Sequence, residues 1–250
     1  MNSFLLALQF FTRIPVNCQL RFTPEEVGRS TVYVPFIGAL VGFGTSFATY
    51  LFVGWFTLWP GVLLGLLVAV LLTGAFHEDG LADTADGLGG GITRERAMVI
   101  MRDSRLGTYG AVALFFGLGI RAASIGAMAQ VDLERACLWI IVAAMMGRWA
   151  ALALMRWMPY AREANAPAKP VVEGVTTRRL MVATLYTGFL AAALIGLPTL
   201  VPVFVLTSVG ALAAAWYFHR RLHGLTGDCL GAVNQVIEIV ILLLGVAWQG

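Results

Sequence analysis

The sequence predicts an all-α, polytopic integral membrane helix bundle of about seven transmembrane helices, and three observations lead there. Of its 250 residues, 59% are hydrophobic and only 12% are charged, against roughly 25% charged in soluble domains, and the mean hydropathy is +0.80. Long stretches with little or no charge recur, each able to supply one or two helices of about 20 residues, the length that crosses a hydrocarbon core. The basic residues collect on one set of connections. With half the usual charge there is too little polar surface to cover a water-facing sphere, so a soluble domain and a disordered chain are both excluded. The 28 glycines keep no three-residue period, and the 3 cysteines show neither disulfide nor zinc spacing.

The elements follow in chain order. Met1 to Val16 is apolar but closes on Arg13 and Pro15, without the basic start or cleavage site of a signal peptide, so it is expected as a retained interfacial segment. Ser30 to Phe76 holds 47 residues without one charge, enough for two spans with a break near Trp59-Pro60-Gly61. Gly107 to Gln130 forms a third span around Arg121, and Ala136 to Met155 a fourth around Arg148. Leu180 to Phe218 gives 39 uncharged residues, two spans split near Gly196-Leu197-Pro198. Ala232 to Trp248, carrying Glu238, is the seventh. No internal repeat is evident, and residues 1–250 read as a single membrane-embedded domain.

With the N-terminus placed in the cytoplasm, 14 of the 17 Lys and Arg residues face that side, Arg135 alone faces the other, and Arg121 and Arg148 lie within spans. The positive-inside rule therefore predicts a cytoplasmic N-terminus and an outward C-terminus. All sizeable polar connections then face the cytoplasm, as suits an enzyme working from that side. No Lys/Arg run of the kind that follows a phosphate backbone is present, so nucleic acid is not expected as a partner.

The chemistry concentrates at 77–109, read as a cytoplasmic active-site loop. In His77-Glu78-Asp79-Gly80-Leu81-Ala82-Asp83-Thr84-Ala85-Asp86-Gly87, four of the 14 acidic residues fall within nine positions. If the preceding span continues as a helix, Asp79, Asp83 and Asp86 stand at i, i+4 and i+7 on one face. Three carboxylates so placed repel one another and call for a cation. Oxygen ligands without Cys or paired His suit Mg²⁺ or Mn²⁺. The bland alternative is a solvated helix end paired with Arg94, Arg96 and Arg102. His77 and Thr84 are weaker candidates for substrate contact.

Gly87 to Gly91 is glycine-rich, and Thr93 to Arg102 is an amphipathic stretch expected to lie on the membrane surface, with Ala97, Met98, Ile100 and Met101 on its apolar side. Arg102 and Arg105 flank Asp103-Ser104 and are suited to phosphate oxygens, although juxtamembrane arginines also bind anionic headgroups. Carboxylates for a hard cation beside arginines for phosphate point to phosphoryl transfer. A small cation or metabolite carrier with the acidic face as its ion site is the alternative.

Two long motifs carry a family resemblance. His77-x-Asp79-Gly80-x-Ala82-Asp83-Thr84-x-Asp86-Gly87 and Ile100-Met101-Arg102-Asp103-Ser104-Arg105-Leu106-Gly107-Thr108-Tyr109-Gly110 resemble the cobalamin synthase (adenosylcobinamide-GDP ribazoletransferase) family. Phe10 to Pro15, Tyr160 to Glu163, and Thr226-Gly227-Asp228-x-Leu230-Gly231-Ala232 with Glu238 are similar to further family segments. Glu78 departs from the pattern by adding a carboxylate off the Asp79 face, which bears on the ligand count. The resemblance implies a Mg²⁺-dependent transferase in the bacterial inner membrane that joins adenosylcobinamide-GDP to α-ribazole or its 5′-phosphate and releases GMP. It further implies Asp79, Asp83 and Asp86 as metal ligands, with one of these carboxylates or His77 taking the hydroxyl proton. Arg102, Arg105, Asp103, Ser104, Thr84, Arg162 and Asp228 are implied at the substrate. Handover among other enzymes of cobalamin synthesis would account for a membrane setting. Arg220 and Arg221 are expected as positive-inside anchors, and Glu238 as a partner for Arg121 or Arg148. No oligomeric state follows from the sequence.

Overall fold

The computed structural model describes residues 2–161 and 169–248, and all of its regular structure is helical. Helices α1 (Asn2–Phe11) and α2 (Pro24–Ser30) lead into α3 (Val34–Trp55). There follow α4 (Leu58–Thr73), α5 (Phe76–Gly90), α6 (Arg94–Ile100), α7 (Thr108–Val131), α8 (Leu133–Trp157), α9 (Lys169–Glu173), α10 (Thr177–Ile195), α11 (Leu197–Leu222) and α12 (Gly227–Ala247). Six of these helices, α3, α7, α8, α10, α11 and α12, are long and apolar enough to cross a membrane, and α4 with α5 forms a bent seventh candidate. The chain is thus a polytopic membrane helix bundle, as its hydropathy requires.

Helix α8 is the axis of the bundle. Every residue from Val142 to Met155 is buried, and a helix apolar all round is stable only when other helices surround it. It packs against α3 on one side and α12 on another. Outward-facing Phe43, Phe47, Phe115, Phe116, Phe189 and Trp216 are exposed, as expected where lipid rather than water is the surrounding medium.

The second span does not run on into the acidic motif. It stops at Thr73, and the chain turns by 88° before α5 begins. Gly74 is left-handed at φ 67°, and the Ala75 N–H closes back on the Val70 carbonyl at 2.9 Å. This six-to-one bond satisfies a terminal carbonyl and ends the helix. Ala75 at φ 59° continues in the left-handed region, where a Cβ is unfavourable. The Asp79 N–H then bonds the Ala75 carbonyl at 2.8 Å and starts α5 in its new direction. Arg13 holds the turn from outside, its N–H bonding the Leu72 carbonyl at 2.7 Å while its side chain lies against Gly74.

The stretch 77–109 is largely two helices. In α6 the predicted amphipathic helix is present, but its buried Ala97, with Met101 just past its end, faces Gly87 and Gly91 of the preceding segment. The apolar side therefore seats α6 on the end of α5, leaving Val99 exposed.

Candidate active site

On a helix turning about 100° per residue, Asp79, Asp83 and Asp86 fall within a sector of about 60°, and α5 carries all three. Their environments differ along that face. Asp79 is exposed, Asp83 half-buried and Asp86 buried. Asp86 accepts the Gly107 N–H at 2.7 Å through Oδ2 and the Gly110 N–H at 2.9 Å through Oδ1. Helix α7 has no side chain of its own at its N-cap, Gly107. The Asp86 carboxylate replaces it, satisfying terminal N–H groups and meeting the positive end of the helix dipole. The two long motifs singled out in the sequence are thus joined through this carboxylate.

The C-terminal motif arrives on the other flank. Helices α5 and α12 approach so closely at Gly80 and Gly231 that a Cβ on Gly80 would lie 2.9 Å from the Asp228 carbonyl and 3.1 Å from the Gly231 Cα. Asp228, in the first turn of α12, thereby lies with its backbone against Gly80 of α5. Thr226 caps α12 by accepting the Cys229 N–H at 3.2 Å and donates to Asp228 Oδ2 at 3.3 Å. A short parallel bridge, Tyr160 with Leu225, ties 159–161 to this helix start, with Ala161 N–H to the Leu225 carbonyl at 2.8 Å. Arg162 lies outside the described residues.

Arg102, Asp103, Ser104 and Arg105 occupy the link from α6 into Gly107, next to Asp86. Arg105 grips Asp103 through Nε to Oδ1 at 3.0 Å and Nη2 to Oδ2 at 2.6 Å. These hydrogen bonds hold the Asp103 carboxyl down to about 2. Both side chains reach solvent, so the pair orients the guanidinium at modest energetic cost.

Two residues placed at the site by sequence lie elsewhere on α5. His77 points into the bundle, its Nδ1 3.4 Å from Arg148 Nη2, about 160° around the helix from Asp79. Thr84 is buried on the face opposite the acids and lines a cavity of about 340 Å³ with Leu88, Phe218 and Val233. Glu78 also turns inward, to Gln235 Nε2 at 3.0 Å and Arg121 Nη1 at 3.5 Å.

Other residues gained roles that sequence reasoning missed. Arg221 binds the Leu88 and Gly91 carbonyls at 3.2 and 2.7 Å, a cation on the C-terminal end of α5, and so is a brace as well as a basic residue. Arg94 does the same for α11, its Nε bonding the Leu222 carbonyl at 2.8 Å and its Nη2 reaching the Ala161 carbonyl at 3.5 Å. Arg220 lies over the Trp216 ring at 4.9 Å. Glu238, by contrast, was expected to partner Arg121 or Arg148 and pairs with both, Arg121 at 2.6 Å and Arg148 through a short contact.

The donor set can be tested against a hard cation. Among the described residues no three His, Cys, Asp or Glu side chains converge on one metal position. Asp79 and Asp83 are neighbours at i, i+4, and both oxygens of Asp86 already accept backbone amides. One or two carboxylates, with water and substrate phosphate completing the shell, is the ligand set Mg²⁺ usually takes, so the residues fit that ion when phosphate accompanies it.

The helix ends that carry these residues coincide: α5, α8 and α11 finish, and α7 and α12 begin, around the acidic face. Fold and site together define a polytopic membrane protein with its polar machinery gathered at one end of a helix bundle. The chain belongs to the cobalamin-5-phosphate synthase family, whose model matches residues 3–246. It is 40% identical over 246 residues to the adenosylcobinamide-GDP ribazoletransferase of Leptothrix cholodnii, covering 96% of this chain and 93% of that protein. The proteins of the same name from Shewanella amazonensis and Leptospira interrogans are 37% and 34% identical, covering 96% and 99% of this chain and 93% and 96% of their own lengths. No solved structure matches the chain.

Proposed function

We infer that this chain is an adenosylcobinamide-GDP ribazoletransferase. A hydroxyl of α-ribazole or its 5′-phosphate attacks the phosphorus nearer the cobinamide. The new phosphorus–oxygen bond forms as the bond to the GMP oxygen breaks, GMP leaves, and the hydroxyl proton passes to a base. No covalent enzyme intermediate is required, because positioning and charge stabilisation suffice for such a displacement. The product is adenosylcobalamin or its 5′-phosphate.

The observation that carries this reading is the α5 face. Asp79 stands on it exposed with Asp83 half-buried beside it, Asp86 ties its end to the Gly107 and Gly110 amides, and the backbone of Asp228 packs against Gly80. Asp79 and Asp83 would hold Mg²⁺, whose chemistry there is to neutralise pyrophosphate charge. The Asp79 or Asp83 carboxylate takes the proton, since His77 is turned into the bundle. Arg102 and Arg105 face the remaining phosphate oxygens from the 102–105 link, which Asp86 anchors through Gly107. The basic asymmetry of the connections supports a cytoplasmic position for this end of the bundle, and the bacterial inner membrane is the setting the reading assigns. The test is GMP release from adenosylcobinamide-GDP and α-ribazole 5′-phosphate by the purified protein in proteoliposomes, with and without Mg²⁺. Mg²⁺-dependent, equimolar GMP and cobalamin phosphate are expected. Cation uptake without GMP release would overturn the reading in favour of a carrier.

A further inference from the structure

Four ionised side chains from four helices meet inside the bundle, and the transfer chemistry uses none of them. Glu78 opens α5, Arg121 lies midway along α7, Arg148 sits in α8, and Glu238 lies midway along α12. They are 7%, 6%, 3% and 3% exposed. Arg121 binds Glu78 at 3.5 Å and Glu238 at 2.6 Å, and Arg148 binds Glu238 and the Ala144 carbonyl. Gln235 bridges the set, accepting from Arg121 at 2.8 Å and donating to Glu78 at 3.0 Å. Two positive and two negative charges close on zero. Ionisable groups at such depth are costly and are kept where they do something specific.

The turn at Gly74-Ala75 shows what that is. An unbroken span would hand its rotation on to the next residues. Here the chain swings 88° between α4 and α5, so the roll of α5 about its own axis is set by its own contacts. Two polar clamps lie near its ends and on different faces: Asp86 to the amides of Gly107 and Gly110, and Glu78 to Arg121 and Gln235. Glu78 adjoins Asp79, about 100° around the helix. Any roll that broke the Glu78 clamp would swing Asp79 and Asp83 through the same angle.

We propose that Glu78 is a positioning residue, whose pairing with Arg121 and Gln235 fixes the roll of α5 and so aims Asp79 and Asp83 at the substrate. The proposal rests on the reading of that face as the reacting one. It also gives the one acid of the motif that points away from the Asp79 face a task, fulfilled by Arg121 on α7 and Gln235 on α12.

The deciding variant combines Glu78→Met, Arg121→Met and Gln235→Met, which removes donors and acceptors together and leaves Glu238 paired with Arg148. Replacing a buried ion pair together with its bridging amide by apolar side chains is often neutral for stability, and Glu238 keeps Arg148 and Asn234 as partners, so this variant is expected to insert and melt as the wild type does. Its kcat is expected to fall by about a hundredfold, the effect of a misplacement of about 1 Å, with KM little changed. A second readout is independent of turnover: labelling by a membrane-impermeant maleimide of Asp79→Cys, in a chain with its three native cysteines replaced. The labelling rate at position 79 is expected to change when the Met substitutions are added. A folded triple variant with wild-type kcat overturns the proposal, and so does lost kcat with unchanged labelling. Should the triple variant fail to insert, Glu78→Gln, which keeps shape and removes the ion pair, is judged by the same two readouts. A shift in labelling without GMP release by the wild type would sink the proposed chemistry and leave the positioning role standing.

Discussion

Asp86→Ala removes the carboxylate that joins the two central motifs, and its cost can be worked from the contacts. Two backbone N–H groups, of Gly107 at 2.7 Å and Gly110 at 2.9 Å, lose an ionised acceptor. Hydrogen bonds to charged groups contribute about 1.5–3 kcal/mol each, and the favourable charge at the α7 N-terminus adds about 0.3–1 kcal/mol. Gly107 is partly accessible and can turn to water, whereas Gly110 is buried, so a net loss of about 3 kcal/mol is expected once the solvated bond is discounted. The change should appear first as local opening of the α7 start. Amide exchange at Gly107 and Gly110 should then accelerate by about a hundredfold, at about 1.4 kcal/mol per decade. Exchange in the middle of α7 should stay as it was. The measurement is hydrogen–deuterium exchange with peptide-level mass analysis in detergent or nanodiscs. Unchanged protection of 107–110 in the Asp86→Ala protein would refute the capping role.

Four further outcomes follow from the same geometry. Gly110→Ala should mimic loss of the cap, because its Cβ would press on Asp86 Oδ2 and come within 3.0 Å of the Ala82 carbonyl; exchange at the α7 start reads this out. Gly80→Ala places a Cβ 2.9 Å from the Asp228 carbonyl, forcing α5 and α12 apart at a cost of about 1–3 kcal/mol, seen as a lower melting temperature together with lower kcat. Arg105→Ala should let the Asp103 carboxyl rise from about 2 toward its ordinary 3.8, followed by NMR titration. Because the native value is depressed, the pair's small stabilising effect is present above pH 3.8 and disappears as pH falls through about 2. Arg221→Ala uncovers the Leu88 and Gly91 carbonyls and should weaken the end of α5 by about 1–2 kcal/mol, measured as faster exchange at 88–93.

The spans were readable because the bilayer imposes one simple demand, about 20 apolar residues at a time, and breaks at Pro and Gly mark where each demand ends. The acidic ladder was readable for a similar reason, since i, i+4, i+7 spacing is local and a helix converts it directly into a face. What escaped was non-local or hidden within apolar sequence. The turn at Gly74-Ala75 interrupts a run with no polar flag. The cap on α7 is made by a residue 21 and 24 positions away from its amides. Glu78 reads as an extra acid until Gln235, 157 residues on, comes beside it. His77 misled through proximity, because one residue of offset on a helix is about 100° of direction. Asp228, implied at the substrate only through the resemblance, reaches α5 because α12 packs on that helix at Gly80 and Gly231, whereas Glu238 stays inside the bundle with Arg121 and Arg148.

The central claim is that the Asp79–Asp83 edge of α5 is where the reaction takes place. Single-turnover GMP release by Asp83→Asn, purified in the same vesicles as the wild type and shown to melt at the same temperature, tests it most directly. Release should fall by at least about a hundredfold, as expected when charge stabilisation at the reacting centre is lost, with adenosylcobinamide-GDP still bound. A folded Asp83→Asn protein that releases GMP at the wild-type rate would contradict the account.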